Sequence, residues 1–164
     1  MLRIGKLTDY GTLILTRLVG GQCVSAAQLA EQTRLGPATA AKILKALART
    51  GILNSIRGTN GGYTLARPPS QISAAQIIDA LEGPVAITEC ATGAGCCELE
   101  TVCGVSNAWQ HINVAIRRAL DDISLAELAN WKHGAVPSLQ LGTLAHHPNG
   151  ATTPVPAQEE TSNA

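Results

Sequence analysis

Two short helical patterns joined by a tight turn, with a glycine-rich hairpin directly behind them, leave this chain few folds to choose from. Ser25 stands as an N-cap for SAAQLAEQTR, a short helix with Ala26, Leu29 and Ala30 inward. Leu35-Gly36-Pro37 then turns the chain, and Pro37 sits where a helix can begin, since a first-turn N–H has no intrahelical partner to lose. In the following ATAAKILKALARTG, Ala40, Ile43, Leu44 and Leu47 recur at helical spacing and Gly51 is the stop. Next comes ILNSIRGTNGGYTLARP, with Ile52 and Ile56 in one extended segment and Tyr63 and Leu65 alternating in another. The glycines of residues 57–62 between them permit the positive φ angles of a hairpin tip. A hairpin after a helix-turn-helix is a wing, so the expected class is mainly α, a winged helix-turn-helix. An earlier helix over residues 8–18, with Leu13, Ile14, Leu15 and Leu18 on its apolar face, ends at Gly20-Gly21. A later one, SAAQIIDALEG, is capped by Ser73 and closed by Gly83-Pro84.

The charge is divided to match. Formal net charge is zero, but residues 1–67 hold nine Lys/Arg against two acids, and residues 68–164 hold three against ten. A basic half joined to an acidic half suits a DNA-binding module carrying a module that does not touch DNA. The chain contains no Phe, two Tyr and two Trp, so its core must come from Leu, Ile, Val and Ala, as in small packed helices. No apolar run approaches the roughly 20 residues of a membrane span, and MLRIGKLTDYG lacks the features of a signal peptide, which implies the cytoplasm. In that compartment five cysteines are expected as thiols or metal ligands rather than disulfides.

On the second helix of the pair, Thr39 and Lys42 lie near the N-terminus, placed to reach base edges, while Lys45 and Arg49 lie further along and should meet phosphates. Arg57 heads the wing, where an arginine can enter a narrow minor groove. Beyond residue 107 a helical stripe of Trp109, Ile112, Ile116, Leu120 and Ile123 suits a dimer interface, which a symmetric operator reader needs. The organisation expected is therefore a winged-helix domain over 1–84, a cysteine-rich loop over 85–106, a dimerisation helix over 107–131 and a disordered tail over 132–164, in which His146-His147 binds metal only adventitiously.

The loop holds Cys90, Cys96, Cys97 and Cys103, with five residues between the first two and five between the last two. Soft thiolates gathered by a glycine-rich loop select iron–sulfur clusters, zinc or copper(I), and the spacing fits neither a zinc ribbon nor a C-x-x-C redox pair. Cys23 stands apart and is expected to be a small buried residue.

The opening LTDYG, the helix-turn-helix, the wing RGTNGGYTLARP, the helix IIDALEG and the cysteine loop together resemble the Rrf2 family of bacterial regulators, whose members include IscR and NsrR. The resemblance covers about residues 1–129, and TECATGAGCCELETVCGVSNAWQHIN is most similar to regulators of proteobacterial SUF iron–sulfur assembly operons. It implies a homodimeric repressor on a palindromic promoter, with one cluster per subunit, either 2Fe-2S or 4Fe-4S. Three cysteines and a variable fourth ligand would hold that cluster. By motif position the cysteines are Cys90, Cys96 and Cys103, with Cys97 an alternative to Cys96. The family's histidine position after the last cysteine is Ser106 here, and His111 lies five residues further on. Asp9 occupies the place of an aspartate that, in NsrR-like members, reaches the partner subunit's cluster; it is equally a helix N-terminal acid favoured by the macrodipole. A nitric-oxide-sensing repressor of the same architecture and a winged helix with structural zinc are the competing expectations. An enzyme is disfavoured, because no nucleophile–base pair, phosphate loop or paired carboxylates stand in a defined context.

Overall fold

The computed structural model describes residues 4–58, 60–88 and 104–131. The chain divides into two units, Met1–Lys132 and His133–Ala164. The second unit, with the expected tail and His146-His147, lies outside the described residues, as do Cys90, Cys96, Cys97 and Cys103.

Six helices and one hairpin make up the described part: α1 (Lys6–Leu18), α2 (Ala26–Thr33), α3 (Pro37–Arg49), β1 (Leu53–Ile56), β2 (Gly62–Leu65), a single 3₁₀ turn (Pro69–Gln71), α4 (Ala74–Glu82), α5 (Ser106–Asp121) and α6 (Leu125–Asn130). The strands pair antiparallel with Leu53 opposite Leu65 and Ile56 opposite Gly62. Val24 adds a short third rung, exchanging hydrogen bonds of 3.1 and 2.8 Å with Tyr63. The wing is thereby anchored to the segment that leads into α2.

The core is aliphatic, as the composition requires. Ile14, Leu15 and Leu18 of α1 meet Leu29 of α2 and Ile43, Leu44 and Leu47 of α3, all with essentially no exposure. Each such side chain contributes roughly 1.5–3 kcal/mol by leaving water. Leu13 is not part of this set and is exposed. At about 100° per residue, four positions from 13 to 18 cannot all face one neighbour.

Three helices begin with a capping box. Ser25, Ser73 and Ser124 each accept from the backbone three residues on, and Gln28, Gln76 and Glu127 reach back to the cap. Two of these boxes lie side by side: Ala74 donates to the Ile123 carbonyl and Leu125 to that of Ile72, each at 2.8 Å. The 107–131 segment is consequently two helices rather than one. It breaks at residues 122–124 because the Ser124 cap starts a new helix whose Leu125 is wholly buried in the winged-helix core.

Candidate nucleic-acid interface

Pro37 opens α3 and Gly36 precedes it without a side-chain cap, so the helix presents a bare N-terminus. Ala40, Ile43, Leu44 and Leu47 are buried against the core. At 3.6 residues per turn the opposite side carries Lys42, Lys45 and Arg49, all exposed, with half-buried Thr39 at the edge. None of these three cations has an ion-pair partner among the described residues. The same holds for Arg57, exposed at the end of β1.

The wing needs its glycines for two different reasons. Gly58 has φ +116°, which an L side chain rarely adopts. Gly61 and Gly62 have no positive φ, and steric room is what they supply. A Cβ on Gly61 would run into the Ile56 carbonyl, and one on Gly62 would lie 2.5 Å from the Val24 oxygen. The expectation of positive φ thus holds at one of these glycines and is corrected at the other two.

Cys23 is exposed, not buried. Val24 turns inward to pair with Tyr63, and in extended chain the preceding residue then faces out. The Cys23 thiol lies 3.9 Å from the Asn60 carbonyl at the wing tip.

Asp9 is exposed in the first turn of α1 and borders a groove of about 490 Å³ with Ile4, Thr12, Ile78, Leu120 and Leu128. His111 is exposed on α5, as are Trp109, Ile112 and Val114. Arg117 fastens α5 to α4: its guanidinium bonds both Asp79 oxygens, at 3.1 and 2.5 Å, and lies 3.8 Å from Asp121. The bond to Asp79 raises the guanidinium pKa above its ordinary value. Asp79 also accepts from the Val85 N–H at 3.3 Å, so the point where the chain leaves α4 towards the cysteines belongs to the same clamp. Nothing local in the sequence marks this pairing across 38 residues.

A bare-ended helix with an unpaired basic face, backed by a wing with an arginine at its root, is the DNA-reading unit of a winged-helix regulator. The Rrf2 family, described as iron-dependent transcriptional regulators, matches residues 4–131, and the chain belongs to it. A putative HTH-type transcriptional regulator of Haemophilus influenzae is 30% identical over 134 residues, covering 78% of this chain and 89% of that protein. Among solved structures, CymR, the global cysteine regulator of B. subtilis, superposes with a TM-score of 0.62 at 30% identity, over 80% of this chain and 99% of CymR. IscR of T. potens does so with a TM-score of 0.58 at 26% identity, over 79% and 87%. The protein is therefore a DNA-binding transcriptional regulator and not an enzyme, and no helix of its described residues is long and apolar enough to cross a membrane.

Proposed function

We propose that this regulator is a homodimeric repressor of iron–sulfur assembly genes of the SUF type, and that an iron–sulfur cluster bound through Cys90, Cys96 and Cys103 sets its affinity for a palindromic operator. The donor set carries the proposal: thiolates in a glycine-rich segment between α4 and α5, in a chain whose family is described as iron-dependent. Such soft donors suit iron–sulfur chemistry. A second observation agrees with a polar group in this part of the chain. Asn113, on α5 ten residues after Cys103, is buried to 9% exposure with its Oδ1 unpartnered among the described residues, and a buried polar atom ordinarily has a partner.

When bound, the cluster supplies a metal centre that is labile to oxidants, iron loss and nitric oxide, so that occupancy follows supply. The protein's own residues do the rest. Thr39 and Lys42 read base edges, Lys45 and Arg49 hold phosphates, and Arg57 enters the minor groove. The exposed apolar residues of α5 pair the subunits, and Asp9 of one subunit serves the partner's cluster as its variable ligand. The Arg117–Asp79 clamp also holds Val85, from which the chain runs on towards the cysteines, and its helix α4 packs on α3, the reading helix.

The test is an absorption spectrum of protein purified without oxygen from iron-replete cells, paired with operator binding by holo and apo forms. Visible charge-transfer bands are expected, lost in Cys90→Ala and Cys103→Ala and kept in Cys23→Ala. A colourless protein with stoichiometric zinc, or equal holo and apo affinities, would defeat the proposal. Genome-wide occupancy confined to nitric-oxide detoxification genes would transfer the same machinery to a nitric-oxide sensor.

A further inference from the structure

The turn of the helix-turn-helix contains a residue that its backbone conformation does not favour. Periodicity places Arg34 at the end of the α2 pattern, but α2 stops at Thr33 and Arg34 takes φ 55°, ψ 30°. It is the single non-glycine residue with positive φ among the described residues. Its N–H bonds the Glu31 carbonyl at 3.1 Å, and that of Leu35 bonds the Ala30 carbonyl at 3.0 Å, while Leu35 packs on the core. Paired in this way, the two bonds form a Schellman cap. Glycine is the usual occupant of its left-handed position, because a Cβ there crowds the following carbonyl.

The arginine gains no partner among the described residues in return. Arg34 is exposed, and its guanidinium has no hydrogen bond or ion pair among the described residues, including with Glu31 one turn earlier. Its location is informative. It stands two residues before Gly36, the cap of α3, at the end of the reading helix that first meets a DNA duplex. Backbone N–H groups at that end favour phosphate, and a planar guanidinium binds phosphate oxygens in a bidentate manner. A left-handed outlier with an unpaired charge beside a binding helix directs attention to function.

We infer that Arg34 is a further phosphate-binding residue of the DNA interface, held beside the N-terminus of α3 by the rigid Schellman turn. This rests on α3 being the reading helix and is independent of what the cysteines bind. The Arg34→Gly variant separates the contact from the fold, since glycine suits the turn at least as well. Its melting temperature should equal or exceed that of the parent. Arg34→Asn, which also tolerates this conformation, provides a second charge-free variant.

The experiment measures affinity over a salt series for the full chain, using a duplex enriched on that chain from a randomised library and a scrambled duplex of equal length. Arg34→Gly and Arg34→Asn should bind both duplexes several-fold more weakly at low salt. The slope of log affinity against log salt should fall in magnitude by about 0.9, the value for one phosphate contact. Arg34→Lys should keep the slope. An unchanged slope and affinity in both charge-free variants would overturn the assignment, whatever Lys45→Ala does in parallel. A loss confined to the enriched duplex would overturn it as well, since that is the signature of base reading.

Discussion

Gly62 shows how much a single side chain can depend on its absence. It sits in β2 where Val24 crosses, and an added Cβ would lie 2.5 and 2.7 Å from the oxygen and carbon of the Val24 carbonyl, backbone atoms that cannot swing aside. Gly62→Ala should therefore destabilise the domain by about 1–3 kcal/mol, the usual range for overpacking, as measured by chemical denaturation. A stability equal to the parent's would mean that the wing shifts freely against Val24. Lys42 and Arg57 have the opposite character, being exposed and without an ion pair among the described residues, so removing them should leave the fold alone. Lys42→Ala and Arg57→Ala are each expected to cost roughly 1–3 kcal/mol of operator binding with unchanged melting temperature. Unaltered affinity in both would sink the docking face described above.

At the scale of the element, the three capping boxes differ in one atom that matters. Those of α2 and α4 close with Gln28 and Gln76, and that of α6 closes with Glu127, whose carboxylate accepts from the Ser124 N–H and hydroxyl at 2.7 Å each. The backbone bond from Ser124, followed by its hydroxyl bond, holds the Glu127 pKa below the usual carboxylate range. With a folded pKa below the unfolded one, the stabilisation is complete above the unfolded value and is lost as pH falls through the folded value. Acidification through and below the ordinary carboxylate range should thus loosen the start of α6, while the α2 and α4 boxes keep their caps. Glu127→Gln, which copies the other two boxes, should show a smaller loss of melting temperature between neutral and acid pH than the parent does. Identical pH profiles would exclude the cap as the acid-sensitive joint.

On the scale of the whole molecule, the segment beyond the cysteines is shared between two roles. α5 leaves Trp109, Ile112 and Val114 exposed, whereas α6 returns to the winged helix and buries Leu125 completely beside Ile72 and Ile77. The DNA-reading unit is therefore closed by residues on the far side of the cysteine segment. Leu125→Ala should cost about 2–5 kcal/mol, the range for emptying a buried leucine site, and should weaken DNA binding only through the loss of folded protein. A denaturation midpoint matching the parent's would show that α6 is an ornament to the domain. In such an arrangement the cysteine segment is bracketed in sequence by elements of a single core.

Sequence alone determined whatever is set by neighbours within a few residues. The α3 pattern, the Ser25 and Ser73 caps, Pro37 at a helix start and the glycine-rich wing are local matters of periodicity, orphan N–H groups and backbone sterics, and they were legible with the family. The same was true of the basic half of the chain, because charge is counted without knowing the fold. Tertiary structure decided the rest. Whether Cys23 faces in or out depended on Val24 pairing with a strand nearly 40 residues away, and whether residues 107–131 formed one helix or two depended on the Ser124 cap meeting that of Ser73. The left-handed turn at Arg34 followed from Leu35 finding the core, and the Asp79–Arg117 clamp from α4 and α5 lying together. Apart from the turn at Arg34, whose own hydrogen bonds stay within residues 30–35, each of these is a pairing across long sequence separation, whose energy is gained only once the chain has been brought back on itself, so no window of residues contains the signal for it.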